Sequence, residues 1–186
     1  MYLTVGLSLP VDMRIFLHGF QDFFPSREWR PTPVLYLPLV AFGRMQPPEW
    51  EELDQCLYAL HLPTPVTLRQ TGFDVSARGN RIMLEATVEA SVIDHLSVKI
   101  RNAGRQAGVP SSHSLLPSGI ALADITEVDP TACNLWLATH RHLFAQTEEV
   151  CEFTVFKTGK NRENTFLEVM AEYQFSDLYT APPSML

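Results

Sequence analysis

Charge, cysteine and long apolar runs are all scarce in this chain. Only 19% of its 186 residues are charged and 46% are hydrophobic, which excludes a disordered polymer, because such chains lack the apolar surface a core needs. Cations are the scarcer sign: 14 Lys and Arg stand against 21 Asp and Glu, a formal charge of −7. That balance excludes a general nucleic-acid coat, since neutralising phosphates takes a surplus of cations, but it leaves room for a local basic groove. The three cysteines, Cys56, Cys133 and Cys151, are an odd number without Cys-x-x-Cys spacing. Neither a disulfide framework nor a zinc knuckle is expected, and a reducing compartment is. No apolar run approaches the roughly 18 residues of a membrane span. The apolar start, Met1 to Pro10, lacks a basic stretch and a small-residue cleavage site, so it reads as a strand and not as a signal peptide. The expectation is a soluble, cytoplasmic protein without cofactor or metal.

The length suits one domain, expected over residues 1–178 as two packed lobes, with 179–186 a frayed tail. Residues 2–9 alternate and stop at Pro10, as a strand does. Between 11 and 24, Val11, Ile15, Phe16, Gly19, Phe20 and Phe23 recur at helical spacing, and Pro25 ends the pattern. Val34 to Phe42 is a nearly continuous apolar run, fit for a buried strand. Pro47-Pro48-Glu49 opens a helix to about Leu60, with prolines in the first turn and acids at the positive end of the dipole. Strands over 66–75 and 81–88 flank the turn 76–80, and a helix fills 91–107. The second half repeats the idea, with a strand at 119–125, a helix from Asp129 to about Phe144, and strands at 150–156 and 165–175. This order predicts an α+β sandwich, mostly antiparallel sheets flanked by helices.

Order and spacing together resemble the 2H phosphoesterases, the group of the LigT-like 2′-5′ RNA ligases and RNA 2′,3′-cyclic phosphodiesterases. The likeness covers nearly the whole chain. Its marks are the alternating strand ending in Leu9-Pro10, the Trp29-Arg30-Pro31 approach, the strand Leu35-Tyr36-Leu37-Pro38-Leu39 with Phe42-Gly43 at its end, and Ser118-Gly119-Ile120-Ala121-Leu122-Ala123. The resemblance implies a bilobal LigT-like fold with two pseudo-symmetric lobes around a central cleft. In that family each lobe contributes one His-x-Thr/Ser motif. The histidines exchange protons with a phosphodiester, and the hydroxyls grip its oxygens.

Here the four matching positions are Tyr36, Pro38, Gly119 and Ala121. A phenol ionises near pH 10, too high for a neutral-pH proton shuttle, and the other three carry no titratable group at all. The resemblance therefore implies a catalytically degenerate protein retained for binding a nucleotide or RNA end in the cleft, or a protein partner. The alternative is an active cyclic phosphodiesterase using relocated residues such as His113. Ligand-binding candidates are Tyr36, which either stacks on a base or packs the cleft shut with Pro38, and His113, Ser118, Arg78, Arg81, Lys160 and Arg162 on the surrounding loops. His95-Leu96-Ser97 matches His-x-Ser literally but falls mid-helix, where residues two apart face different sides. For the same reason His140 and His142 make a poor metal pair.

Overall fold

The computed structural model describes residues 2–61, 65–112, 119–160 and 165–175. Among them the element order is β1 (Tyr2–Ser8), α1 (Val11–Asp22), β2 (Arg30–Pro31), β3 (Tyr36–Arg44), α2 (Pro47–Tyr58), β4 (Val66–Arg78), β5 (Arg81–Ala90), α3 (Ile93–Gln106), β6 (Gly119–Asp124), α4 (Pro130–His140), β7 (Glu148–Val150), β8 (Glu152–Lys160) and β9 (Thr165–Gln174). The strands form two sheets, ordered β3-β1-β8-β9 and β2-β6-β5-β4-β7. Every described pairing is antiparallel.

Each sheet has an apolar outer face under helices and a more polar inner face, the consequence of period-2 alternation. In β1 the residues Leu3, Val5 and Leu7 are buried on the helix side, while Thr4, Gly6 and Ser8 point the other way. Helices α2 and α3 pack together over the first sheet, and α3 lies against β3. Helix α1 lies against β6, and α4 against β4, over the second sheet. Under α1 and α4 sits an aromatic cluster in which Trp136 packs edge-on to Phe73 with ring centroids 5.2 Å apart, and stacks on His140 at 4.3 Å. The strands β3 and β6 bring the two sheets together, Cα to Cα within 8 Å.

The helix starts follow the local chemistry. Gln46 and Glu49 form a reciprocal capping box on α2, with Pro47 in the first turn. The Asp129 carboxylate accepts from Thr131 N and Ala132 N at 2.9 and 3.2 Å to cap α4. The helix expected as far as Phe144 instead stops at His140. The chain is drawn off because Ala145 N donates to the buried Gln70 Oε1 at 2.7 Å on β4. The strands around 76–80 extend to Arg78 and from Arg81, tightening that turn to Gly79-Asn80.

The two sheets do not follow the two halves of the sequence. β8 and β9 join β1 and β3, so the first sheet is built from both ends of the chain, and α1 leaves the first sheet to cover the second. The hydrophobic period reports which residues are buried but not which strands pair. β2 and β7, of two and three residues, were too short to show any period. The expected tail, 179–186, lies outside the described residues.

Val92, just before α3, adopts φ +52°, a left-handed conformation that a β-branched side chain resists. Its side chain is exposed, so little packing offsets that strain. Val92→Gly should raise the unfolding free energy by about 1 kcal/mol, read by urea denaturation.

Candidate functional site

Between the sheets, the inner faces of β1, β3 and β8 oppose those of β4, β5 and β6. On the first sheet, cross-strand register aligns Gly6 with Pro38 and Thr154, and Thr4 with Phe156. Ser8 pairs with Tyr36, and its Oγ lies 2.9 Å from Thr154 Oγ1. On the second sheet, Glu85 pairs with Ala121, Thr87 with Gly119, and Ser76 with Met83. All four positions matched to the family's motifs therefore lie on strands that face the cleft.

Tyr36 lies flat and does not stand into the cleft. A Cβ added at Gly6 would come within 2.7 Å of Tyr36 Cδ2 and 2.6 Å of Leu37 O, so only glycine leaves room for the ring there. The other side of the ring tilts onto Phe156, centroid to centroid 4.5 Å. Burial raises the phenol's pKa above the ordinary tyrosine value. The charge of Arg78 on the opposite sheet and a hydrogen bond with Thr4 oppose that rise without cancelling it. Phe156 is 2% exposed and Thr154 0%, so this part of the cleft floor is closed.

The opposite wall carries a polar cluster in which the candidate Arg78 joins Glu85 and Ser76, two residues the sequence pattern did not single out. Glu85, 4% exposed, accepts a hydrogen bond from Ser76 Oγ at 2.5 Å and from Arg78 Nε at 2.9 Å, and pairs with Arg78 Nη2 as well. A buried carboxylate needs such partners. Gly119 lies directly beside it. A Cβ at position 119 would sit 2.6 Å from Ala86 O and 3.3 Å from Glu85 Oε2. The strand backbone and Glu85 thus occupy the space a side chain at 119 would need. One signal was legible in sequence: Glu85 is a lone carboxylate inside the apolar run Ile82 to Ala86, and buried acids are rare.

The other candidates scatter. Arg81 is largely exposed at the start of β5, and its Nε lies 3.8 Å from Asp124 Oδ2 at the end of β6. His113, Ser118 and Arg162 lie outside the described residues, and the Lys160 side chain is likewise not described. In His95-Leu96-Ser97 the imidazole is exposed and the serine buried, so the two do not face one ligand. His140 Nδ1 lies 2.7 Å from Trp136 O, within its own helix. Among the described residues no His, Cys, Asp and Glu side chains cluster as metal ligands, and no helix is long and apolar enough to cross a membrane.

No family model and no curated protein matches the chain. Solved structures do. TT0787 of Thermus thermophilus is 22% identical and superposes with a TM-score of 0.67, covering 94% of this chain and 98% of that one. Apo LigT of E. coli, 16% identical, gives 0.67 over 93% and 96% of the two chains. A protein described as a phosphoesterase, 17% identical, gives 0.67 over 94% and 97%. E. coli LigT has been solved with 3′-AMP, ATP, NADP+ and phosphate. The chain has the LigT-like fold. At these identities the likeness is one of fold, and fold alone does not carry chemistry.

Two buried phenols give the molecule a defined response to alkali. Tyr173 hydrogen-bonds Asp54, and burial, that bond and the Asp54 charge all raise its pKa. A raised pKa favours the neutral phenol in the folded state. The stabilisation is fully present below the unfolded tyrosine value of about 10 and is lost as pH rises toward the folded values. Melting temperature should therefore fall more steeply above pH ~10 in the wild type than in the Tyr36→Phe/Tyr173→Phe double variant.

Proposed function

We propose that this chain is a non-catalytic protein of LigT-like fold that binds a nucleotide-type anion at its cleft. The observation that carries the reading is the closure at Gly119. The family's chemistry needs an imidazole at that position to move a proton, and here even a methyl group would collide with Ala86 O. On the facing strand, Tyr36 is held neutral by burial and Pro38 offers no hydroxyl. General acid and base are missing on both sides. Losing each is worth roughly 10²–10⁴-fold in rate.

Binding is supported by what the cleft keeps. Arg78 retains one third of its side-chain exposure while Glu85 fixes its orientation. A guanidinium oriented in this way is well suited to a phosphate, because its fork of donors is already held in place. It acts electrostatically on Tyr36 across the cleft. The Tyr36 ring, covered by Gly6 and Phe156, offers no stacking face, so the phosphate of a nucleotide is the group this wall suits. The nucleotide and phosphate complexes of E. coli LigT support the choice of ligand class. The negative formal charge of the whole chain favours a small nucleotide or an RNA end over a long polyanion.

Turnover of 2′,3′-cyclic nucleotides and 2′-5′-linked dinucleotides should be absent, and Gly119→His should fail to create it. Titration calorimetry with mononucleotides should give heat that Arg78→Ala weakens by about tenfold or more. Wild-type turnover abolished by His113→Ala would instead establish the active alternative. Absence of heat with every nucleotide would remove the ligand assignment and leave only the non-catalytic reading standing.

A further inference from the structure

Helix α1 shows two apolar faces where a helix covering a sheet needs one. Met13 and Leu17 are buried against the second sheet, as the amphipathic pattern requires. Val11, Ile15, Gly19 and Phe23 recur every four residues on the outward side, with Ile15 63% and Phe23 84% exposed. Beside this ridge runs a groove of about 360 Å³ between α1 and α4, whose walls include Phe16, Gly19, Phe20, Phe23, Trp136 and His140. Nothing in the fold explains a glycine at 19. It lies in the last turn of the helix, a Cβ there would meet nothing within 4 Å, and glycine is a poor helix former.

We propose that this face is a twofold interface at which a second copy of the chain packs its own α1 antiparallel, crossing at Gly19. The face is self-complementary, as an isologous contact requires. It carries a largely exposed ring, Phe23, at the rim of a groove that Phe16 and Gly19 also line, so each copy offers both a ring and a groove. Ridges built on four-residue spacing interdigitate with one another, and a residue without a side chain at the crossing lets two helices approach closely.

Charge selects the partner and its direction. Arg14 and Asp22 are exposed on one flank of the ridge, eight positions apart and nearly symmetric about Gly19. Neither makes an ion pair among the described residues. In antiparallel helices the same flanks meet, so each Arg14 falls opposite the other copy's Asp22, giving two reciprocal pairs. A parallel pairing brings opposite flanks together and leaves Arg14 and Asp22 without each other. The face lies on the helix side of the second sheet, away from the cleft, so the interface leaves nucleotide binding untouched.

Light scattering and sedimentation equilibrium on the full chain test this directly. The wild type should have the mass of a dimer at micromolar concentration, and Phe23→Glu that of a monomer with an unchanged circular-dichroism spectrum. Arg14→Glu and Asp22→Arg should each weaken association by about tenfold, and combining them should restore it to within about twofold. A monomeric wild type overturns the proposal, as does a dimer that survives Phe23→Glu. Failure of the double reversal to restore association overturns the antiparallel arrangement.

Discussion

The pairing of β1 with β8 is the contact on which the rest of the molecule depends. Tyr2 meets Thr158 and Gly6 meets Thr154, so the first strand of the chain is zipped to one near its end. Closing so long a loop costs entropy before any contact compensates it. The compensation is the burial of Leu3, Val5, Leu7, Phe153 and Val155 beneath α2 and α3. Because β1 is central in its sheet, its inner residues become the floor of the cleft, and the same register that completes the core lays Thr4, Gly6 and Ser8 beside Tyr36, Phe156 and Thr154.

Both walls of the cleft are tightly packed around these positions. On one wall Tyr36 is clamped between the bare backbone of Gly6 and the ring of Phe156. On the other, Glu85 fills the volume beside Gly119 and ties Arg78 to Ser76. A buried carboxylate is tolerated only with such partners, so the cluster is self-consistent: remove Arg78 and an uncompensated charge remains. Strand backbone and side chains thus fill the space around positions 36 and 119.

Helix α1 shows how one periodic pattern can carry two kinds of information. Its apolar residues outnumber what one buried face can use, and the surplus stands in solvent at four-residue spacing. Periodicity in the sequence adds these together and signals only a helix. The structure separates them, assigning Met13 and Leu17 to the core and leaving Ile15 and Phe23 for another surface.

Sequence by itself settled which segments are helix and strand, because alternation and capping are local: the Pro47-Glu49 start, the Asp129 cap and the alternation in β1 all act within a few residues. Residue identity also shows that Pro38, Gly119 and Ala121 carry no titratable side chain. The grouping of strands into sheets, the end of α4 at the Gln70–Ala145 bond and the Glu85–Arg78–Ser76 cluster were decided only by tertiary structure. Each depends on atoms brought together from separate strands or distant parts of the chain, and no local period records such a meeting. Whether Gly119 was merely vacant or closed was likewise beyond the sequence, because that turns on where the carbonyl of a neighbouring strand comes to rest.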